Sequence, residues 1–262
     1  MNRIGSLLVG AALVLLPASV MTQGTLTRIM IRVVSHDAKI IGSAVGGARI
    51  TVRDARTGSL LARGEQEGGT GDTQRLVVEP RARGERVFDT KGAAGFVAEI
   101  YLAGPTQVRI EAEGPLGTAQ ASQRISRTML LVPGQDVLGE GVVLELYGFT
   151  VELLEPSGEL RDAPGSEIAV RARVTMLCGC PTEPGGLWDS ADYTIEARIV
   201  RDDTVLETAT LTYAGETSIY EGRITVPAEE GLRLQILAMD PSQGNFGMFE
   251  RPFDEEGTGQ SS

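Results

Sequence analysis

Residues 48–54 read Ala-Arg-Ile-Thr-Val-Arg-Asp, and this stretch carries the pattern that decides the fold. Ile50 and Val52 alternate with Arg49, Thr51 and Arg53, so one face of the segment is apolar and the other polar. A period of two is typical of a β-strand with one buried face. The following residues, Asp-Ala-Arg-Thr-Gly at 54–58, predict a turn, and 59–63 predict the returning strand of a hairpin.

The same pattern continues on both sides of this hairpin. Gly and Pro interrupt every candidate helix, and no amphipathic helix of more than two turns is predicted between residues 25 and 250. Many short strands separated by turn signals predict an all-β protein built from β-sandwiches. The further strands are predicted at 27–34, 96–102, 107–112, 142–146, 149–156, 167–174, 194–200, 206–211, 219–226 and 232–239.

The first 24 residues predict a targeting segment. Arg3 precedes an apolar run over residues 4–21, which as a helix would span about 27 Å at about 1.5 Å per residue. The run fits a cleaved signal peptide, and it also fits a retained single-span membrane anchor. Either alternative predicts that the chain after residue 22 is exported to the periplasmic or extracellular side of the membrane, with membrane contact through residues 4–21 if the segment is retained.

Two domains are predicted after this segment, with a boundary near Tyr147-Gly148. The first β-sandwich is assigned to residues 25–147 and the second to 148–252. The acidic, Gly/Ser-rich tail at 253–262 is expected to be disordered, because it has too little apolar surface to offset its ordering entropy. The less regular stretch 64–95 predicts either an extended surface loop or a pair of edge strands. Its basic side chains are candidates for an interface, namely Arg81, Arg83 and Arg86.

Composition excludes several classes of function. The chain has a formal net charge of -11, which argues against nucleic acid, because a nucleic-acid binder needs Lys and Arg to displace phosphate counterions. One His and two Cys cannot build a zinc finger or a disulfide framework. No P-loop and no nucleophile elbow occurs, and His36-Asp37 has no nucleophile in an expected position. We therefore expect no cofactor and no enzymatic activity.

The most unusual segment is the loop Met-Leu-Cys-Gly-Cys-Pro at 176–181. Cys178 and Cys180 could form a disulfide in an oxidising compartment, or remain as two thiols in a loop braced by Pro and Gly. They could also bind Cu(I) together with Met176, since thiolate and thioether ligands suit that soft ion. Trp188, the only tryptophan, follows with Leu187. It either packs over a sheet or is displayed to a partner, and both residues are interface candidates.

Two stretches carry a resemblance to known domain families. The Val-Gly-Gly-Ala-Arg-Ile-Thr-Val run at 45–52, followed by Thr57-Gly58, resembles the transthyretin-like or carboxypeptidase-regulatory type of β-sandwich. The run Ala-Met-Asp-Pro-Ser-Gln-Gly-Asn-Phe-Gly at 238–247 is similar to the strand–turn–strand ending of bacterial immunoglobulin-like domains. These resemblances imply adhesion, scaffolding or accessory roles. An exported acidic protein of this kind also resembles accessory periplasmic subunits of membrane redox complexes, such as photosynthetic reaction centres.

The resulting expectation is a non-enzymatic, exported structural or accessory protein. Its expected partner is a protein, in particular a membrane-bound complex. Two alternatives stay open at this stage: a periplasmic module that binds a ligand or Cu(I) through the Cys-x-Cys loop, and a cell-surface adhesion module.

Overall fold

The computed structural model describes residues 24–157 and 165–253. The first half of the chain folds into seven strands, which together form one β-sandwich. Their bounds are β1 Thr25–Ser35, β2 Ala48–Asp54, β3 Leu60–Gln66, β4 Phe96–Leu102, β5 Thr106–Gly114, β6 Gln123–Leu131 and β7 Val137–Leu146.

These strands form two facing sheets, in the orders β4-β1-β7 and β3-β2-β5-β6. Alternation places one face of each strand inward, so Ile29 and Ile31 of one sheet meet Ile50 and Val52 of the other in a common core. Strand β6 was not predicted from the sequence. Most of its side chains are exposed or only partly buried, and Leu131 is its one buried residue.

Eight strands form the second sandwich. They are β8 Phe149–Glu155, β9 Glu167–Met176, β10 Thr194–Arg201, β11 Thr204–Thr210, β12 Thr212–Tyr213, β13 Ile219–Thr225, β14 Leu232–Asp240 and β15 Asn245–Pro252. Their sheets have the orders β12-β13-β9-β8 and β11-β10-β14-β15. With the strands lettered A, B, C, C′, D, E, F and G, one sheet is ABED and the other contains CFG, which is the immunoglobulin arrangement. The predicted all-β, sandwich fold is confirmed.

The first sandwich divides its strands differently. Strand β1 lies between β4 and β7, antiparallel to β4 and parallel to β7. The chain therefore enters at one end of the sandwich and leaves at the other. We call the end that holds the start of β1 and the turns 55–59, 103–105 and 132–136 the entry end. The opposite end adjoins the second sandwich, and only residues 147 and 148 separate β7 from β8.

Residues 67–95 form a loop, but this loop is folded against the sheet and is not extended. It contains a single π-helical turn, Gln74–Val78, and it covers the outer face of β1 and β7. Leu76, Val87 and Phe88 pack there against Val34 of β1. Arg32 of β1 is 3% exposed, and its guanidinium donates to the Ala94 carbonyl at 2.6 Å. A small satellite core thus holds the longest loop of the described chain in place.

Glu140 of β7 also holds this loop. Its carboxylate accepts the backbone N–H groups of Val87, Phe88 and Asp89 at 3.1, 3.0 and 3.2 Å. We expect Glu140→Ala to speed limited trypsin cleavage after Arg83 by roughly tenfold, because a hydrogen bond to a charged group contributes about 1.5 kcal/mol or more and about 1.4 kcal/mol is tenfold in local opening. Glu99→Ala, which removes an exposed carboxylate from β4, is the matched control. Equal cleavage rates for the two variants would contradict this account.

Two predicted segments lie outside the described residues. The export or anchor segment lies there up to residue 23, and so does the acidic tail from residue 254. Phe253, which the prediction placed in the tail, is 4% exposed and packs in the core of the second sandwich. Within residues 24–157 and 165–253, no helix has the length and apolar character needed to cross a membrane.

Candidate interaction surfaces and the junction of the two sandwiches

Two hydrogen bonds connect the two sandwiches at the junction, and a third joins the connecting residue Gly148 to the second sandwich. The indole N–H of Trp188 donates to the Asp37 carbonyl at 2.9 Å. The Gly148 N–H donates to Asn245 Oδ1 at 2.8 Å, and the Glu250 N–H donates to Gln120 Oε1 at 2.8 Å. Trp188 and Asn245 are buried, so their two bonds are shielded from most of the solvent, whereas the Glu250–Gln120 bond is exposed. Buried bonds of this kind resist separation, because breaking one leaves a desolvated polar group unpaired.

Apolar side chains interlock across the same junction. Leu177, from the loop after β9, is fully buried in the core of the first sandwich. Ala38, from the loop after β1, belongs to the core of the second. Gly179 lies in the left-handed region at φ +78°, and a Cβ there would come within 2.8 Å of Val45 Cγ1. The loop at 176–181 therefore fits against the first sandwich, and its glycine is required by both backbone conformation and space.

Cys178 and Cys180 form a disulfide within this loop. Both are buried, and Met176 is a core side chain that is 1% exposed. In this oxidised state neither sulfur is a thiolate, which is the form that binds Cu(I). Among residues 24–157 and 165–253, no group of three or more His, Cys, Asp or Glu side chains is arranged to hold a metal ion. The loop thus acts as a structural element of the junction.

Trp188 packs inside the molecule. It is 6% exposed and belongs to the core of the second sandwich, so its ring is not displayed to an external partner. Its neighbour Leu187 is 55% exposed and remains available for contact. The chain bends at these two residues, which places the Trp188 ring in the core and leaves Leu187 at the surface.

His36 is part of the junction as well. Its ring stacks on Tyr147 with centroids 4.0 Å apart, and its Nδ1 lies 2.9 Å from Glu145 Oε1. Burial raises the pKa of the neighbouring Asp37 carboxyl, and the Asp240 and Glu145 carboxylates add to the rise while His36 opposes it. His36 contacts the aromatic ring of Tyr147 and the carboxylate of Glu145. Neither group is a nucleophile that a His–Asp pair could activate.

The three predicted interface arginines lie together on the loop over β1 and β7. Arg81, Arg83 and Arg86 are all exposed. Arg81 is partly engaged, since it donates to the Leu76 carbonyl at 2.8 Å and lies 5.0 Å from the Phe88 ring centroid. Glu79 and Glu85 are exposed on the same stretch, so the three arginines give residues 79–86 only a slight excess of positive charge.

An apolar patch on the outer face of β14 and β15 was not predicted. Register pairs Met239 with Phe246 and Leu237 with Met248, so the four side chains form one surface, which we call the β14–β15 patch. Phe246 is 53% exposed and Met248 is 48% exposed. The sequence signal was present in Leu-Arg-Leu-Gln-Ile-Leu-Ala-Met-Asp at 232–240, where the outward positions change from Arg233 and Gln235 to apolar residues.

A depression of about 320 Å³ lies on the outer face of β2, β5 and β6, and opposite charges line it. Arg49 lies 3.6 Å from Glu113, and Arg124 lies 3.1 Å from the same carboxylate. These pairs largely neutralise one another. The depression therefore offers little net charge for a ligand.

Comparison with known proteins gives no family. No protein-family model and no curated protein matches the sequence. Among solved structures, the chain is similar to the fibronectin(III)-like modules of Clostridium thermocellum CbhA, with 13% identity, 87% of this chain and 90% of that chain covered, and a TM-score of 0.25. It is also similar to the titin domains z1z2 in complex with telethonin, with 11% identity, coverage of 88% and 94%, and a TM-score of 0.20. Sequence identities and TM-scores this low indicate nothing about the function of the chain.

Proposed function

We propose that this chain is a non-enzymatic accessory protein, exported and held at the periplasmic or extracellular side of the membrane by residues 4–21. Its role is to dock on a protein partner in a membrane-associated complex. The two sandwiches act as one unit because the junction ties them together. The β14–β15 patch is the docking surface.

The exposure of the β14–β15 patch carries this proposal. Two of its four apolar side chains, Phe246 and Met248, are about half exposed, and the apolar surface that they leave in water costs about 25 cal/mol per Å². Patches of this kind mark sites of protein contact, and aromatic residues and Met are enriched in such interfaces. His36 stacks on Tyr147, and Cys178 and Cys180 form a disulfide in the junction loop, which is compatible with this non-enzymatic role.

Two narrower assignments belong to the same proposal. The first sandwich is a transthyretin-like module, which its stretch at 45–52 and its departure from the immunoglobulin strand division both support. The partner is a membrane redox complex, for example a photosynthetic reaction centre. The net charge of -11 would help to steer such a chain toward a basic electron-transfer protein.

Co-purification from native membranes tests the docking surface. We expect the tagged wild-type chain to retain a stoichiometric partner in mild detergent, and Phe246→Asp to lose most of it. A charge at the centre of an apolar interface has no partner and costs several kcal/mol, which lowers affinity by about a hundredfold or more.

Val205→Asp is the matched control. Val205 is 47% exposed and lies on β11 in the same sheet, away from the patch. It should retain the partner at the wild-type level. Loss of the partner in both variants, or in neither, would contradict docking through the β14–β15 patch. The mass-spectrometric identity of the retained partner decides whether it belongs to a redox complex.

A further inference from the structure

A group of exposed apolar side chains surrounds the entry end of the first sandwich. Each lies within two residues of a turn at that end or inside one. They are Leu60 at 54%, Tyr101 at 70%, Leu130 at 55%, Val132 at 42% and Leu138 at 43% exposed. Tyr101 also pairs with the half-buried Leu26 across β4 and β1. The entry end therefore presents an apolar rim, far from the β14–β15 patch.

The turns at this end carry little charge. The stretches 55–59, 103–105 and 132–136 contain only Arg56 and Asp136 as charged residues. The Asp136 carboxylate accepts the backbone N–H of Arg28 at 2.7 Å and forms an ion pair with its guanidinium at 2.7 Å. Arg56 in turn faces the Asp54 carboxylate, which accepts its backbone N–H at 2.8 Å, so the charges of the rim are balanced in pairs and the rim is nearly neutral. It contrasts with the acidic character of the whole chain.

The chain also enters the sandwich at this rim. Gly24 lies directly against the end of β4, and a Cβ on it would come within 2.8 Å of the Tyr101 carbonyl carbon. Only residues 22–24 separate this point from the apolar run at 4–21. Three residues reach about 10 Å when fully extended. The headgroup layer on one side of a bilayer is about 5–8 Å thick.

We propose that the entry end rests on a lipid bilayer, with Tyr101 and the surrounding apolar rim in the headgroup layer. This inference rests on the retention of residues 4–21 as an anchor in the proposed function. The anchor would place residue 21 at the edge of the hydrocarbon region. Even fully extended, the linker exceeds the headgroup layer by only about 2–5 Å, so the rim stays beside the headgroups. Aromatic rings with a polar tip are enriched at this depth, and apolar side chains gain there by leaving water.

Spin labelling of the full chain in vesicles tests the inference. The two native cysteines are joined in a disulfide, so one added cysteine is the only free thiol to label. Tyr101→Cys and Val132→Cys report on the rim, and Val205→Cys on the second sandwich is the control. The measurements are the collision rates of each label with oxygen and with a water-soluble nickel chelate.

We expect labels at 101 and 132 to collide with the nickel chelate at least about threefold less often than the label at 205, because the headgroup layer excludes the chelate and favours oxygen. Phosphatidylcholine vesicles should give the same result as vesicles of phosphatidylethanolamine with phosphatidylglycerol, because the rim is nearly neutral. A second measurement needs no spin label. Brominated lipid should quench the fluorescence of the tryptophan introduced by Tyr101→Trp, but it should not quench the fluorescence of the buried Trp188 in the wild type.

The other outcomes separate the two proposals. If N-terminal sequencing of the native protein finds a start near Thr22 or Thr25, the anchor fails and this inference fails with it. If the N-terminus is intact but the label at 101 is as accessible as the label at 205, the lipid contact is wrong while the anchor stands. Protection at 101 in complexes from native membranes, but not in vesicles, would show that a protein covers the rim and would also overturn the inference.

Discussion

Trp188→Ala is expected to lower the free energy of unfolding by about 3–5 kcal/mol, the usual cost of truncating a buried tryptophan. The side chain is 6% exposed, fills the core of the second sandwich and donates its indole N–H to the Asp37 carbonyl of the first. Truncation leaves a cavity and an unpaired carbonyl at the junction. In a calorimeter the melting temperature should fall by about 10 °C, since 1 kcal/mol corresponds to about 2–4 °C in a chain of this size.

Two further variants separate packing from hydrogen bonding at this position. Trp188→Phe keeps an aromatic ring but loses the N–H donor, and it should cost about 1–3 kcal/mol. Leu187→Ala removes the neighbouring exposed side chain and should change stability by less than about 0.5 kcal/mol. Urea unfolding followed by far-UV circular dichroism suits all three variants, because tryptophan fluorescence is lost in two of them. A cost below about 1 kcal/mol for Trp188→Ala would exclude its role at the junction.

Gln66→Leu is expected to cost about 2–5 kcal/mol, although it preserves most of the side-chain volume. Gln66 is 1% exposed at the end of β3. Its Oε1 accepts the Val33 N–H at 2.7 Å, and its Nε2 donates to the carbonyls of Val33 at 2.9 Å and Ile41 at 2.7 Å. Strand β4 pairs with β1 only as far as Ile31. The amide of Gln66 therefore replaces the missing strand neighbour of Val33.

Leucine at position 66 would leave the Val33 N–H and the Ile41 carbonyl buried without these partners. Gln66→Glu keeps one acceptor and loses both donated bonds, and its buried carboxylate should have a raised pKa. Its stability should therefore increase as the pH falls through that pKa, because the protonated carboxyl group can donate again. Gln107→Leu, at an exposed position on β5, should have little effect. Equal costs at positions 66 and 107 would contradict this assignment.

The strands that alternation predicted are those whose faces differ most in burial. Ile50 and Val52 are fully buried while Arg49, Thr51 and Arg53 are not, so β2 is evident from sequence. In β6 the exposed side chains outnumber the buried one, which removes the contrast between faces. The loop at 67–95 has no period because Leu76, Val87 and Phe88 reach their small core from irregular backbone. Such a segment has no hydrophobic periodicity from which its structure could be predicted.

Most contacts at the junction could not be predicted from local sequence patterns. The proximity of Cys178 to Cys180 follows from their spacing. The partner of Trp188, in contrast, is a carbonyl 151 residues away, and no periodicity relates the two. Asp240 bonds its own turn by accepting the N–H groups of Ser242 and Gln243, and Asn245 pairs with it at the other end of that turn. The side chain of Asn245 instead reaches Gly148 in the connection between the sandwiches, because burial there leaves that N–H without water.

The parallel pairing of β1 with β7 has a mechanical consequence. Ile31 to Ser35 pair in register with Val142 to Leu146, and the chain continues from opposite ends of this ladder. A pull applied between residue 24 and the second sandwich would slide the two strands past each other. The hydrogen bonds between the two strands would then share the force and have to break together. Strands pulled apart from a common end would instead lose their hydrogen bonds one at a time. The first sandwich is thus arranged to withstand tension along the line that joins its two termini.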